Sequence, residues 1–278
     1  MSQVFVIAEI GINHNGSLEI AKQLIRMAKE CGCDAVKFQK RDVSVCIPFW
    51  KRNDTRETPW GKLTYFEYKK KLEFSREEYD AIDNYCKSLH IDWFASPWDI
   101  NSLKFLRKYD LKYNKIASAM LTNIPLLNAV AKEGKFTFVS TGMSTMKNIE
   151  RAVNIFRKYE CPFALMHCVG TYPAKNDDLN LRMIPMLKKR FKCPVGYSDH
   201  SRGVLAASLA VALGACAIEK HITLDRTMFG TDQANSLEKR GLEILVRDVH
   251  SVSSMLGDGK KRLLDEEKLK LKDLKYWN

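Results

Sequence analysis

The chain has 278 residues, 45% hydrophobic and 28% charged, an ordinary globular composition long enough to bury a large core. No run approaches the roughly 18 consecutive apolar residues of a membrane span, and Met1-Ser2-Gln3 leads into Val4-Phe5-Val6-Ile7 without a basic region, apolar helix or cleavage site, so a cytoplasmic protein with no membrane partner is expected. The net charge of +12 is concentrated in Lys69-Lys70-Lys71 and in a tail (Lys260, Lys261, Arg262, Lys268, Lys270, Lys272, Lys275) interleaved with Asp265, Glu266, Glu267 and Asp273; that is a solvated helix face, and with no RNA-binding aromatic spacing or DNA-reading basic region it excludes a nucleic-acid partner.

In chain order, short β-branched or apolar runs predict strands at Val4–Ile10, Ala35–Gln39, Trp93–Ser96, Asn114–Ser118, Phe136–Ser140, Phe163–Cys168, Val195–Ser198 and Ala217–His221. Between most of them lie segments with 3.6-residue apolar spacing, such as Leu18-Ala21-Leu24-Ile25-Ala28 and Leu205-Leu209-Ala212-Leu213. Ser75 ahead of Glu78 has capping-box spacing, Asn123 precedes Ile124-Pro125, and glycines follow the helical runs at Cys31-Gly32 and Glu133-Gly134. Near-continuous apolar strands separated by helices imply a parallel sheet covered on both faces. Eight such units in about 250 residues fit a closed single-domain (β/α)8 TIM barrel, and the glycine turn of a dinucleotide fold is missing after the first strand. The barrel is expected over 1–260, with 261–278 a basic C-terminal helix or tail. Arg41 to Leu72, charged and containing Pro48, Pro59 and Gly61, reads as an active-site loop over the barrel mouth. The eight cysteines are too irregular for a disulfide framework, and Cys31-Gly32-Cys33 is one residue short of a metal or redox pair.

Chemistry in such a barrel belongs to the C-terminal strand ends. There the sequence places Glu9 with Asn13-His14-Asn15-Gly16, Lys37 and Gln39, Ser96, Lys115 with Ser118, Ser140-Thr141-Gly142-Met143, His167-Cys168 with Tyr172, Ser198-Asp199-His200, and Glu219-Lys220-His221. Two buried lysines are costly to keep charged without an anion between them, and serine hydroxyls suit phosphate and carboxylate oxygens, so the rim reads as a pocket for a small phosphorylated acid. The alternative is that each lysine pairs with a carboxylate and reaches water. His200 and His221 end neighbouring strands and can converge on a divalent ion such as Mn²⁺, Fe²⁺, Co²⁺ or Zn²⁺, with Asp199 and Glu219 placed to orient them.

The runs Ile7-Ala8-Glu9-Ile10-Gly11-Ile12-Asn13-His14-Asn15-Gly16, Val36-Lys37-Phe38-Gln39, Ser140-Thr141-Gly142-Met143, Ser198-Asp199-His200, Glu219-Lys220-His221 and Gly230-Thr231-Asp232-Gln233-Ala234-Asn235-Ser236-Leu237-Glu238 closely resemble the N-acetylneuraminate (sialic acid) synthase family. The resemblance implies a transferase that condenses phosphoenolpyruvate with N-acetylmannosamine or a related N-acylated amino sugar, giving a nine-carbon 2-keto-3-deoxy acid and phosphate. By position it implies phosphoenolpyruvate contacts from Lys37, Ser96, Lys115, Ser118, Ser140 and Ser198. It further implies sugar-facing Gln39, Tyr172 and Asp232, a catalytic carboxylate at Glu9, and metal ligands His200 and His221 holding Mn²⁺, with Mg²⁺ or Co²⁺ as alternatives.

Three departures stand out. The antifreeze-like C-terminal domain of bacterial members, which lends an arginine to the partner subunit, is expected to be missing here, so the family's swapped dimer is not carried over; a separate chain or the Arg41–Leu72 loop is expected to cover the sugar site, and a homo-oligomer is a further expected partner. Gly170 stands where some members have Asn, a loss for Thr171 or a water to make good. Met120 replaces an acidic residue and is expected to bear on sugar choice. Two other readings remain: a synthase of a shorter keto-deoxy acid, which needs a further basic cluster for a sugar phosphate that the rim does not display, and a barrel that binds without turnover.

Overall fold

The computed structural model describes residues 4–277. Eight parallel strands follow one another around a barrel: β1 (Phe5–Gly11), β2 (Ala35–Lys40), β5 (Asp92–Pro97), β6 (Tyr113–Ile116), β7 (Phe136–Ser140), β8 (Phe163–Cys168), β9 (Val195–Asp199) and β10 (Ala217–His221). The numbers β3 and β4 belong to a hairpin, Thr55–Thr58 and Gly61–Thr64, outside the barrel. Ladders run in the order β5-β2-β1-β10-β9-β8-β7-β6, and β6 lies beside β5 to complete the ring. Helices α1 (Leu18–Glu30), α4 (Arg76–Ser88), α5 (Ile100–Leu106), α6 (Ile124–Ala131), α7 (Met146–Lys158), α8 (Met183–Phe191), α9 (Leu205–Ala212) and α10 (Lys239–Leu256) form the outer layer. This is a single-domain (β/α)8 TIM barrel.

Local chemistry explains the ends. Ser17 caps α1, Ser75 and Glu78 form a reciprocal capping box on α4, and Asn123 caps α6 with Pro125 in its first turn. Gly32 (φ +84°) and Gly134 (φ +67°) supply the left-handed residue after α1 and α6.

Strand alternation builds the interior in layers. The bottom layer of the interior, beneath the site, is aromatic: Phe5 lies 5.2 Å from Tyr113 and 5.8 Å from Phe138, and Phe94 lies 5.8 Å from both. Two residues beyond Phe94, Tyr113 and Phe138 the same face becomes polar with Ser96, Lys115 and Ser140. A Cβ on Gly196 would stand 2.6 Å from Met166 Sδ and 2.7 Å from the Ala217 carbonyl, so glycine is what lets Met166 fill the space beside β9.

Two readings of the sequence are corrected here. In α9 the leucines Leu205, Leu209 and Leu213 face outward, 69%, 48% and 37% exposed, while Ala206, Ala207, Ala210 and Val211 meet the barrel; a helix packed close to the sheet buries its small residues, and the wider apolar stripe hid which edge that was. The Arg41–Leu72 segment is an ordered excursion, carrying α2 (Val43–Cys46), the hairpin, and α3 (Tyr65–Lys71) capped by Thr64 and Glu67. Beyond the barrel, α11 (Asp265–Leu274) is solvent-exposed along most of its length. No helix among the described residues is long and apolar enough to cross a membrane.

Candidate active site

The C-terminal strand ends enclose a cavity of about 240 Å³, a size for small molecules rather than for a polymer. Glu9 (β1), Lys37 and Gln39 (β2), Ser96 (β5), Lys115 (β6), Ser140 (β7), Cys168 (β8), Ser198 (β9), and Glu219 and His221 (β10) line it, together with Ser118, Tyr172, His200 and Asp232 from the following turns. The expected catalytic, substrate-facing and metal-binding residues are therefore all on one cavity wall, whereas Asp199 and His167 are not. Ser118 alone is displaced from its predicted element: β6 stops at Ile116, and Ser118 opens a 3-10 turn whose hydroxyl accepts from the Gly142 amide at 3.1 Å.

The floor holds a closed set of charges. Lys37 Nζ lies 2.8 Å from Glu9 Oε2 and 3.7 Å from Glu219 Oε1, and Lys115 Nζ lies 2.8 Å from Glu219 Oε2. Ser96 and Ser140 accept from the two ammonium groups at 3.1 and 2.6 Å, and Ser198 donates to Glu219 Oε1 at 3.1 Å. The register makes this possible: β1 pairs Glu9 with both Lys37 and His221, and the ladder to β2 shifts between Glu9 and Gly11. Gly11 (φ +56°) is required there, because a Cβ would stand 3.1 to 3.3 Å from Glu9 Oε1, His221 Cε1 and Gln39 Nε2.

The lysines therefore take carboxylate partners without reaching water, each only a few per cent exposed. Burial pulls the Lys37 ammonium down, but Glu219 and Glu9 overcome it and leave its pKa raised. For Lys115 burial wins, with Lys37 adding to it against Glu219, and its pKa is lowered. Burial would raise the Glu219 carboxyl, yet Lys115 and Lys37 bring it down to about 2. Glu219 is thus the bridge between both lysines, not an orienting group for His221 as its sequence position suggested. Asp199 is also reassigned: it points out of the barrel, pairing with Lys220 at 2.8 Å and holding Ser201 and Tyr197. Alternation is the reason, since residues 198, 200, 219 and 221 face inward and residues 199 and 220 face outward. By the same rule Cys168 faces the cavity, while the His167 ring lies outside it, 2.7 Å from the Leu179 carbonyl.

His200 and His221 converge through Tyr172, whose Oη lies 2.5 Å from His200 Nε2 and 3.2 Å from His221 Nε2. His200 Nδ1 donates to the Val169 carbonyl at 2.5 Å, which leaves its Nε2 as an acceptor. Burial, with His221 nearby, lowers the His200 pKa to about 3, so the ring is neutral. His221 Nδ1 is buried without a hydrogen-bond partner. Two imidazoles aimed at one point have the donor chemistry for a divalent ion, and in this arrangement Tyr172 Oη stands at that point. No group of three or more His, Cys, Asp or Glu residues among the described residues could hold one.

Other family-like residues tie loops together. Asn13 donates to the Ile222 carbonyl and Ser236 hydroxyl at 2.8 Å, Asn15 to the Phe229 carbonyl at 2.8 Å, Gln233 to the Asn13 carbonyl at 3.0 Å and Asn235 to the His200 carbonyl at 2.6 Å. The segment carrying Asp232 is thereby stitched to the turn after β1. Where Gly170 stands, a Cβ would meet Met143 Cγ at 2.6 Å, and Thr171 is exposed and off the cavity wall, so of the two expected replacements for the missing contact Thr171 is not placed to supply it. Met120 is likewise off it, packing on the core and facing a groove shared with Val45 and Asn123.

Sequence reasoning missed Arg41 and Lys69, which reach the same cavity from the Arg41–Leu72 segment. The expectation that the rim carries no second basic cluster is thus overturned. A basic run in a long loop after β2 was the available signal; its direction depends on how α3 docks.

Fold and site together define a (β/α)8 barrel with a buried, charged small-molecule cavity at its C-terminal strand ends. A description of the NeuB family matches residues 24–261. N-acetylneuraminate-9-phosphate synthase of Homo sapiens is 40% identical over 94% of this chain and 73% of its own length. N,N'-diacetyllegionaminic acid synthase of Campylobacter jejuni is 37% identical over 96% and 81%. A crystal structure of N-acetylneuraminic acid synthetase from Leptospira borgpetersenii, in complex with citrate, superposes with a TM-score of 0.85 at 34% identity, covering 100% of this chain and 94% of that one. The chain belongs to the NeuB family, and its function is of the sialic-, legionaminic- or pseudaminic-acid synthase type, a transferase activity.

Proposed function

We propose that this chain joins phosphoenolpyruvate to the open-chain aldehyde of an N-acylated amino sugar, giving a nine-carbon 2-keto-3-deoxy acid and inorganic phosphate. The observation that carries the reading is the buried floor of Lys37, Lys115, Glu9 and Glu219 ringed by Ser96, Ser140 and Ser198. A phosphorylated carboxylic acid entering there meets two ammonium groups and several hydroxyls already oriented, so little reorganisation is needed at the moment of reaction. In the reaction the methylene carbon bonds to the aldehyde carbon, water adds at the carbon bearing phosphate, and the C–O bond to phosphate breaks.

Glu9, held by Gln39 at 2.9 Å and by Lys37, is the carboxylate that would carry a proton between water and the new sugar hydroxyl. Gln39, Tyr172 and Asp232 would face the sugar. His200 and His221 would hold a divalent metal, Mn²⁺ first among candidates with Mg²⁺ or Co²⁺ behind it, and the ion when bound supplies Lewis-acid polarisation of the aldehyde. Phosphoenolpyruvate being a cytoplasmic metabolite, the reading carries the expectation of a cytoplasmic enzyme. The test is phosphate release from phosphoenolpyruvate with Mn²⁺ across a panel of amino sugars, with and without chelator. Release that needs one sugar and stops with chelator supports the reading; no release with any sugar refutes it.

A further inference from the structure

We propose that Lys220 and Asp199, a buried ion pair on the outer face of the barrel wall, are positioning residues that set the spacing of His200 and His221 and with it the metal affinity of the site. They act through the backbone, touching neither ring. This rests on the reading that the two histidines hold a divalent metal.

Neither member of the pair lines the cavity, yet each is the chain neighbour of a histidine that does. Both are 1% exposed. They are register partners, Asp199 on β9 opposite Lys220 on β10, and the ladder between the two strands ends with them. Beyond it the His200 carbonyl goes to Ala174 and Asn235 and the His221 carbonyl to Leu237, so backbone pairing no longer ties the two strand ends to each other. The side chains supply that tie. Lys220 Nζ donates to Asp199 Oδ2 at 2.8 Å and to the Ser201 carbonyl. Asp199 Oδ1 accepts from the Ser201 amide at 2.8 Å, its hydroxyl at 2.7 Å and the Tyr197 hydroxyl at 3.2 Å. His200 is thus bracketed by two residues that are joined to each other and to β10.

His221 shows why such a tie is needed. A histidine that binds metal through one nitrogen is usually aimed by a hydrogen bond from the other. His200 has one, from Nδ1 to the Val169 carbonyl, whereas His221 Nδ1 is buried without a partner. The aim of His221 therefore comes from the backbone of β10, which Lys220 fastens to the turn carrying His200. A buried ion pair is weak as a stabiliser, since well-packed apolar side chains in its place do as well or better. What it adds over them is a fixed distance across the two strands.

The test measures the Kd for Mn²⁺, from the paramagnetic resonance signal of the free ion, in chelator-stripped parent, Asp199→Asn/Lys220→Met, Lys220→Arg and Ser201→Ala. The Kd for phosphoenolpyruvate is measured alongside by calorimetry on the metal-free proteins. The double variant removes both charges, so no ion is left stranded. Its Mn²⁺ affinity should fall by roughly tenfold to a hundredfold, the range for outer partners of metal-ligating histidines, and Ser201→Ala should fall by less. Lys220→Arg keeps the cation across the strands and should stay near the parent. The phosphoenolpyruvate Kd should hold in all of them, because Lys37 and Lys115 stand on β2 and β6. Unchanged Mn²⁺ affinity in the double variant would overturn the proposal, and so would a fall in both affinities together, the mark of a pair that only holds the fold. If the double variant does not fold, Ser201→Ala decides, and parent-like Mn²⁺ affinity there overturns it. A parent that binds phosphoenolpyruvate but neither Mn²⁺, Mg²⁺ nor Co²⁺ sinks the metal reading itself, and the clamp with it.

Discussion

Replacing Glu219 by Gln tests whether the barrel floor is one charge network. In the folded protein Glu219 touches Lys115 at 2.8 Å, Lys37 at 3.7 Å and Ser198 at 3.1 Å, and the two lysines and Glu219 are less than a tenth exposed. The glutamine keeps the shape and removes the charge, leaving Lys115 buried with Ser140 alone. Breaking one partner of a buried pair costs about 3–5 kcal/mol, because the remaining ion is uncompensated. A chain of this length has an unfolding entropy of roughly 0.6 kcal/mol per kelvin, so the apparent Tm should fall by about 5–9 °C. Scanning calorimetry at one fixed rate, with chelator present in all samples, reads the shift. Adding Lys115→Met to Glu219→Gln removes the stranded cation and should recover a good part of the loss. An unchanged Tm in Glu219→Gln, or a double variant no better than the single, would refute the idea that these groups depend on one another.

Further outcomes are expected. Gly11→Ala forces a left-handed alanine into contact with Glu9, His221 and Gln39, so it should cost about 1–2 kcal/mol in urea titrations and lower kcat in the synthase assay much more than that loss explains. Gly16→Ala drives a Cβ to 2.2 Å from the Lys71 carbonyl at φ +73°; α3 should lift off the turn after β1, seen as faster amide exchange over 65–72 and a raised sugar KM. His200→Ala and His221→Ala should each abolish stoichiometric Mn²⁺ binding measured by metal analysis after dialysis, while circular dichroism stays that of the parent. Lys69 carries its charge below its lowered pKa of about 8 and loses it above. The same shift means the folded chain holds fewer protons here than the unfolded one from about pH 8 to the ordinary lysine value, so this group adds stability as pH rises. Lys69→Arg should flatten that rise in stability between about pH 8 and 10 in urea titrations; Arg41, Arg56, Glu73 and Asp232 are the charged groups facing Lys69.

The strands, their order along the chain and the polar character of their C-terminal ends were legible because they rest on short-range periodicity. Inward-facing Lys37, Ser140 and His221 follow from alternation once a strand's ends are known. The same alternation, applied strictly, would have turned Asp199 and His167 outward, and it was there that reading residues as strand-end clusters overreached. The exposed leucines of α9 show the complementary weakness, since an apolar stripe wider than the contact it makes does not say which edge is buried.

Composition and local pattern alone thus determined a parallel barrel of eight units, a rim of lysines, serines and histidines, and a family resemblance built from runs of adjacent residues. Tertiary structure decided who meets whom: Glu219 with Lys115 across 104 positions of chain, Tyr172 between two histidines, and Lys69 swung over the mouth by a helix that the sequence showed only as a charged loop. The physical reason is that periodicity constrains neighbours along the chain, whereas a buried charge takes whichever counter-charge barrel closure brings to it.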